Sequence, residues 1–580
     1  MKCTRIFVLS LAACSGDPQT SSTGQPTTGD SGPSSDPTGD VPTGGAPSSS
    51  GDATTMGSSG PDATGPDETG PAATSDATSA ATSADESSGD PSSSSGGDEP
   101  APYPEPGGFP PNSGPGGPTG GFTPEQVGVE CAALDGGLPG DVGDGESHDT
   151  FDHHNLVVMF DGWLVLPWAP EFGLNAGITL YDFSDPCAPV AVASAQSDEM
   201  RESHSLGFAN LNDRWYMVAD QMSSPFAGGV EFWDVTDKAD IHVVSRVEVG
   251  GFLYPDAYQR VTLSVFWQAP YVYVAGADNG VFVIDAADPV APKLVYQYKF
   301  DPVLRAGQVQ AIGNLLMVSA AEGKRTALLD ISRPDFIQPI AGGEFEVTRE
   351  SYFSNVGGGY AYYAPKSGGG GILIYDIHDL KAPVKVADYS SGGNGGYVFV
   401  KDQHAFVGES DFATIYDLTD IASPVEHMKL NLKGDLDTIT PIANVAVLSV
   451  DDKADKDRGS IVVPYVADAD TTAPSVTWAW PADGATGLAA TSRFGLTFSE
   501  MIDVKSAWAG SVRLYETGTD PASTRVDGHV SVQENIVTFA PKAPLAPGVM
   551  YTLEVPAGGV RDYSGNPITA AFTAAFTVGG

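Results

Sequence analysis

The sequence predicts an all-β protein in which a β-propeller of six or seven blades is followed by a β-sandwich. Three observations predict it. An apolar strand, an aspartate, a polar turn and a proline recur together through the middle of the chain, at spacings of 41 to 52 residues. Residues 471–580 alternate apolar strands with turn residues. No stretch within these regions shows a convincing helical period.

This recurring sequence motif, the repeat phrase, defines the blades. A clear copy runs from Val281 to Val295, with an aspartate at the end of the strand and Pro292 in the following turn. The six leading aspartates are Asp182, Asp234, Asp285, Asp330, Asp376 and Asp417. Self-similarity at this period is typical of propellers, and each unit has room for the four strands of one blade. A degenerate seventh copy, with Ala467 in the leading position, leaves six or seven blades open.

Each leading aspartate has a local structural role. Its carboxylate can accept a hydrogen bond from the backbone N–H two residues later, forming an Asx turn. The proline that follows lacks an N–H and suits a turn into an outer strand. We therefore expect the aspartates to be structural, with a cation-binding ring as the alternative.

The phrase resembles the LVIVD repeat, across roughly residues 150–470. Arrays of that repeat resemble β-propellers on bacterial and archaeal cell-surface proteins. The resemblance therefore implies a propeller over residues 122–470. The copy at Asp330 departs from the pattern, because Arg333 and Pro334 shift the second acid and the proline.

The N-terminus has the features of a processing signal. Lys2 and Arg5 precede a short apolar stretch, and Leu11–Cys14 resembles the bacterial lipobox. That resemblance implies a signal peptide over residues 1–13, with Cys14 lipidated and anchoring the chain. Ser15 resembles signals sorted to the outer membrane. An ordinary secretory signal is the alternative.

Residues 14–121 are rich in Ser, Thr, Gly, Pro and Asp and contain almost no large apolar side chain. Such a segment cannot bury enough apolar surface to offset its ordering entropy, so we expect a disordered stalk. The formal net charge of the whole chain is −45. This charge excludes electrostatic attraction to nucleic acid and leaves the N-terminal lipid as the membrane contact.

Two cysteines remain after the signal and the lipidated residue are set aside. In an exported, oxidising setting, Cys131 and Cys187 are expected to form a disulfide. The bond would hold the segment before the propeller against its first blade. Two free thiols are the alternative.

A polar cluster at the start of the first two blades is a candidate metal site. His154 and His204 lie fifty residues apart at equivalent repeat positions, and Glu202 is close to the second. Two imidazoles and a carboxylate facing the channel could bind a transition metal or act in catalysis. Structural residues at the blade rim are the favoured interpretation, because no ligand spacing is diagnostic.

Residues 471–580 resemble the bacterial Ig-like domain of S-layer and secreted proteins. The resemblance rests on Phe498-Ser499-Glu500, on the phrase from Leu545 to Tyr551, and on the turn from Asp562 to Asn566. It implies a spacer or adhesive module. Three acids, Glu500, Asp503 and Asp562, could hold calcium there, although capping of turns is favoured.

Two functions follow from this organisation. The favoured one is a lipid-anchored envelope protein, facing outward from the outer membrane, whose propeller binds or scaffolds a protein or polysaccharide at the cell surface. The alternative is a propeller enzyme with a site near His154 and His204. No nucleophile motif is present, so an enzyme is the less favoured interpretation. No definite cofactor is predicted, and calcium or a transition metal is left open.

Overall fold

A computed structural model describes residues 102–136, 152–154, 156–170, 175–200, 203–224, 227–250, 264–432, 434–451 and 459–580. The predicted signal peptide with Cys14, the predicted stalk up to residue 101, and Glu202 lie outside these residues. Apart from one 3₁₀ turn, Val504–Ser506, the regular structure of the described residues is all β-strand. None of their helices is long and apolar enough to cross a membrane.

Seven four-stranded antiparallel units form the propeller. Its strands are β1 (Ala132–Leu134), β2 (Asp152–His154), β3 (Val158–Phe160), β4 (Trp163–Pro170), β5 (Gly177–Asp182), β6 (Val190–Gln196), β7 (Gly207–Leu211), β8 (Arg214–Ser224), β9 (Ala227–Asp234), β10 (His242–Val249), β11 (Ser264–Gln268), β12 (Tyr271–Ala275), β13 (Val281–Asp285), β14 (Lys293–Tyr298), β15 (Ala306–Ile312), β16 (Leu315–Ala320), β17 (Gly323–Asp330), β18 (Gln338–Gly357), β19 (Tyr360–Pro365), β20 (Ile372–Asp376), β21 (Val384–Tyr389), β22 (Val398–Lys401), β23 (His404–Gly408), β24 (Ala413–Asp417), β25 (Val425–Leu430), β26 (Asp435–Ile442), β27 (Val445–Asp451) and β28 (Ser460–Pro464).

Most blades are consecutive antiparallel strands, as in β11-β12-β13-β14 and β22-β23-β24-β25. In blade 1 the innermost position is divided between β2 and β3, which both pair with β4. The long strand β18 is the outer strand of blade 4 and the inner strand of blade 5, so these two blades form one continuous sheet. Most apolar residues of the second and third strands are buried, and large side chains such as Phe232 and Trp267 pack between neighbouring blades.

The ring is closed by a strand from the N-terminal side. β1 pairs with β28 in the register Ala132↔Val462 and so becomes the outermost strand of blade 7. Cys131, directly before β1, forms a disulfide with Cys187 in the outer turn of blade 1, with a Cα–Cα distance of 5.0 Å. Strand pairing and a covalent bond therefore hold the first and last blades together.

All six leading aspartates form Asx turns. The Oδ1 atom of each accepts a hydrogen bond from the backbone N–H two residues later, at N–O distances of 2.7 to 3.1 Å. The turn satisfies a backbone donor that the end of the strand would otherwise leave unpaired. The donors are Ser184, Thr236, Ala287, Ser332, His378 and Thr419.

The C-terminal domain is a sandwich of two antiparallel sheets. Its strands are β29 (Val476–Trp480), β30 (Phe494–Phe498), β31 (Arg513–Glu516), β32 (Gly528–Gln533), β33 (Ile536–Pro541), β34 (Met550–Val555) and β35 (Phe572–Thr577). One sheet has the order β29-β30-β33-β32 and the other β31-β34-β35. The first sheet continues into the propeller, because Ser531 and Val532 of β32 pair with β7 of blade 2.

Residues 102–121 differ from the predicted stalk, because they pack on the folded part of the protein. The Tyr103 hydroxyl donates to the Leu514 carbonyl at 2.8 Å, and Trp508 Nε1 donates to the Pro106 carbonyl at 2.9 Å. Gly117 N donates to the Tyr563 carbonyl at 3.0 Å. This segment carries aromatic side chains, and its Gly- and Pro-rich backbone offers carbonyls to donors on the C-terminal domain.

Candidate cation site at the domain interface

The C-terminal domain lies on the face of the propeller formed by the turns between the first and second strands of the blades. Gly358 N, in the turn after β18, donates to Thr497 Oγ1 at 3.1 Å. Asn314 Oδ1, after β15, accepts from Arg493 N at 2.9 Å. Asp402 N, after β22, donates to the carbonyl of Ser499. Turns from several blades therefore contact a single domain.

The tip of the β32–β33 hairpin occupies the centre of this face. Gln533 Oε1 accepts from Trp267 N at 3.1 Å, and its Nε2 donates to the Val265 carbonyl at 2.8 Å. Asn535 Nδ2 donates to the Val356 carbonyl at 3.0 Å. These partners lie on β11 and β18, the inner strands of blades 3 and 5. Because inner strands surround the centre of a propeller, the hairpin fills one end of its channel.

Glu534, at the tip, is buried against blade 5. Its Oε2 accepts a hydrogen bond from Asn355 Nδ2 at 3.0 Å. Burial raises the pKa of Glu534 to about 7, and the hydrogen bond from Asn355 opposes this shift only in part.

A buried ammonium joins the two domains a short distance away. Lys401, the last residue of β22, is ion-paired with Glu500 Oε2 at 2.5 Å and with Asp470 Oδ2 at 2.9 Å. Asp402 Oδ2 is 3.4 Å from the same Nζ. Lys401 belongs to the propeller, Asp470 to the connection after blade 7, and Glu500 to the C-terminal domain.

Asp562 completes the group, which we call the interface acid cluster: Asp470, Glu500 and Asp562. One carboxylate oxygen from each lies within 4.8 Å of the other two, and no other described group of three or more His, Cys, Asp or Glu residues has this geometry. Asp562 accepts from Asn566 N at 2.7 Å and from Asn566 Nδ2 at 2.8 Å. Glu500 is 3 % exposed, and no hydrogen bond from the described residues reaches its Oε1.

The electrostatics of the cluster are unbalanced. Burial raises the pKa of Glu500, and the Asp562 carboxylate adds to this rise, while Lys401 opposes it. Burial also raises the pKa of Asp562 to about 6, against the hydrogen bonds from Asn566. Burial lowers the pKa of Lys401, but Tyr465 and the surrounding carboxylates outweigh burial and raise it well above its usual value. The cluster thus keeps its ammonium charged and disfavours three ionised acids together.

Two cavities reach this cluster. One, of about 730 Å³, is lined by Lys401, Asp402, Asp468 and Asp470 together with several Thr and Ser residues. The other, of about 360 Å³, is lined by Asp503, Arg561 and Asp562 and by several residues between Gly107 and Thr119. Both are large enough to hold water and small ions beside the carboxylates.

The structure places the sequence-predicted residues in different surroundings. His204 is 6 % exposed, and its ring lies 5.4 Å from Phe353 and 6.4 Å from Tyr397 between centroids. His154 lies in β2 opposite Trp168, its side chain is outside the described part, and so is all of Glu202. The channel metal site therefore stays a prediction.

Of the three acids proposed to hold calcium, Glu500 and Asp562 come together and Asp503 does not join them. Asp503 instead caps the 3₁₀ turn, where its Oδ1 accepts from Lys505 N at 3.2 Å, while its Oδ2 accepts from Asn112 at 3.0 Å. Sequence analysis grouped neither Lys401 nor Asp470 with these acids. No spacing along the sequence indicates these residues, because the cluster is formed by residues of both domains.

The C-terminal domain matches a protein family. Residues 470–578 match the family model described as a bacterial Ig-like domain. The C-terminal sandwich is a bacterial Ig-like domain. A search of the curated proteins finds no match.

Solved structures give distant matches. A putative 6-phosphogluconolactonase from Bacteroides fragilis is 11 % identical, with a TM-score of 0.41, over 56 % of this chain and 98 % of its own. A periplasmic gluconolactonase from Pseudomonas aeruginosa is 13 % identical, with a TM-score of 0.39, over 54 % of this chain and 95 % of its own. Hydrazine synthase from Kuenenia stuttgartiensis is 11 % identical, with a TM-score of 0.40, over 57 % of this chain and 100 % of its own. Likeness at this level carries no argument about activity, and the fold is assigned from the strands themselves.

Proposed function

We propose that the protein is a lipid-anchored protein of the bacterial cell envelope whose propeller and Ig-like domain act together as one binding or scaffolding module. The observation that carries the proposal is the docking of the Ig-like domain by strand pairing and buried side chains. A spacer that swings freely would not bury Gln533 and Glu534 in another domain. The two domains therefore form a single unit, in which the Ig-like domain covers one face of the propeller.

The anchor in this proposal is Cys14. Its support is the sequence Leu11–Cys14, followed by a long acidic segment free of Lys and Arg up to residue 121. A lipid and a self-repelling stalk would hold the folded part away from the membrane. We place the protein on the outer membrane with the propeller facing outward.

The binding surface in this proposal is the propeller face opposite the Ig-like domain. Arg349 and Lys366 lie at this end of blade 5, where Lys366 Nζ is 4.4 Å from the ring centroid of Tyr352. Arg349 pairs with Asp388 at 2.9 Å. Lys366 Nζ is also 3.9 Å from Glu322, so this end of the blade carries paired charges beside an aromatic ring, which suit a polar protein surface or a polysaccharide.

Membrane fractionation tests the anchor. In Cys14→Ser, the protein should move from the membrane fraction to the soluble fraction, while Cys3→Ser, which alters a cysteine inside the signal, should stay with the membrane. Protease added to whole cells should remove the propeller of the wild type. Membrane retention of Cys14→Ser would contradict the anchor, and full protection from protease would contradict surface display.

A binding assay tests the surface. The released Cys14→Ser protein should bind saturably to washed cells that lack it, and Arg349→Ala with Lys366→Ala should weaken this binding at least about tenfold, the equivalent of 1.4 kcal/mol. Lys293→Ala, on the exposed outer strand of blade 3, is the matched control. Equal binding by the double variant and the control would contradict the assignment of the face.

A further inference from the structure

We propose that the interface acid cluster is a binding site for a divalent cation with oxygen ligands, and we assign it to Ca²⁺. The ion would be held by carboxylate oxygens of Asp470, Glu500 and Asp562. Since Asp470 follows the last blade and the other two belong to the Ig-like domain, a bound ion would clamp the domains together.

The first argument is charge. The cluster brings three carboxylates together at the domain interface, and Lys401 supplies one ammonium to them. With all three carboxylates ionised, two negative charges are left without a positive partner inside the cluster. Buried charge is costly unless it is paired or coordinates a metal. A single divalent cation supplies the missing two charges.

The second argument is an oxygen atom with no partner among the described residues. Glu500 Oε2 is paired with Lys401, but its Oε1 is buried and receives no hydrogen bond. Buried polar atoms are nearly always satisfied, so an orphaned carboxylate oxygen inside an acid cluster indicates an additional ligand. Glu500 itself belongs to the group in which one carboxylate oxygen of each acid lies within 4.8 Å of the others.

The third argument is access and ligand type. The cavity of about 730 Å³ reaches Asp470, and the cavity of about 360 Å³ reaches Asp562, so an ion and its waters have a path from two sides. The cluster offers carboxylate oxygens without a His or Cys ligand. Such ligands suit Ca²⁺ or Mg²⁺ rather than Zn²⁺. Ca²⁺ is favoured because it accepts irregular geometry with water completing its shell.

The competing occupant is a proton. A protonated Glu500 would also lower the charge of the cluster, without any metal. The two occupants differ in what they respond to, because the first depends on the concentration of Ca²⁺ at fixed pH and the second does not.

Calcium titration of the full chain tests the proposal. Protein dialysed against a chelator and then against buffer at pH 7.5 is titrated with CaCl₂ in a calorimeter. We expect one ion per chain, with a Kd between roughly 10⁻⁵ and 10⁻³ M. At saturation the thermal midpoint should rise by about 5 °C. Glu500→Gln and Asp562→Asn should each abolish this binding, whereas Asp411→Asn, an exposed acid of blade 6, should leave it unchanged.

A second measurement needs no variant. Tb³⁺ binds where Ca²⁺ binds and emits when excited through a nearby aromatic ring, and buried Tyr465 lies close enough to affect Lys401 electrostatically. Sensitised emission that Ca²⁺ suppresses would support the site. The absence of Ca²⁺ binding to the wild type, or binding that persists in both cluster variants, would overturn the proposal. Stabilisation by Mg²⁺ but not by Ca²⁺ would overturn the assignment to calcium. None of these outcomes depends on the membrane anchor or on the binding face.

Discussion

Two junctions hold this molecule together, and they use different chemistry. The ring closes between blades 7 and 1 through the backbone ladder of β1 with β28 and the Cys131–Cys187 disulfide. The Ig-like domain docks by a short pairing of β32 with β7 and, in addition, through buried polar and charged side chains, chiefly Lys401, Gln533 and Glu534. The first junction contains no ionisable side chain in its bonds, whereas the second contains several. We therefore expect the stability of ring closure to be independent of pH and of ion concentration, whereas the docking of the Ig-like domain should depend on both.

The largest effect should come from the ammonium at the docking junction. Lys401→Met removes the cation from a buried cluster and leaves its carboxylates uncompensated, so the free energy of unfolding should fall by roughly 3 to 5 kcal/mol. Differential scanning calorimetry measures the change. Lys293→Met, at an exposed site, is the control and should change stability by less than about 0.5 kcal/mol. An unchanged thermal midpoint for Lys401→Met would mean that the cluster does not hold the domains.

The closing junction should give the next largest effect. Replacing Cys131 and Cys187 together by Ser frees a loop of 56 residues in the unfolded chain, and stability should fall by about 2 to 4 kcal/mol. Denaturant unfolding measures this loss, and wild-type protein in reductant is the control. The loss should be the same at pH 5 and pH 8. A strong dependence on pH would remove the distinction between the two junctions.

The docking junction should respond to pH through Glu534. The folded protein keeps this carboxyl protonated up to about pH 7, while an unfolded glutamate releases its proton near pH 4.5. The folded state thus binds more protons between these values, and the free energy of unfolding falls as pH rises from about 4.5 to 7. The total loss of stability over this range is on the order of 3 kcal/mol.

Glu534→Gln isolates this contribution. The variant cannot ionise, so it should be more stable than the wild type at pH 8 and should match it near pH 4.5. Thermal midpoints of both proteins between pH 4.5 and pH 8 measure the difference. Parallel profiles would show that Glu534 does not titrate within the folded protein.

The smallest effect should come from one of the repeated turns. Asp285→Ala removes the acceptor for the Ala287 N–H, a bond of 3.0 Å at an exposed site, and should lower stability by about 1 kcal/mol. Asp285→Asn keeps an oxygen acceptor and should retain most of the stability. Chemical denaturation measures the free energy of unfolding of the two variants. A loss as large as that at either junction would mean that the blades depend on each turn.

The repeating part of the fold could be predicted because its causes are local. The strand before Asp285, the Asx turn and the proline all lie within one short phrase, and the phrase repeats. Closure by β1 could not be predicted, because Ala132–Leu134 is three residues without the phrase and gains its role only from β28. This strand, rather than a seventh aspartate, completes blade 7.

The interface acid cluster could not be predicted from the sequence. Sequence reasoning grouped Glu500, Asp503 and Asp562 because they follow one another in a single domain. The structure exchanges Asp503 for Asp470 and adds Lys401, from a different domain. Charges that meet across an interface leave no periodic or spaced signal in the sequence, so their meeting depends on how two finished domains dock.

Ring closure by β1 also sets an order of events during synthesis. Ala132 is made early, but its partner Val462 is made only after six blades. Until then the edge of β1 is unpaired and open to the wrong neighbours. Cys131 and Cys187 are both available long before Val462, and their bond would hold β1 next to blade 1. The final step then becomes a short-range docking instead of a search along most of the chain. In this sense the disulfide acts twice, as a tether during folding and as a stabilising bond in the closed ring.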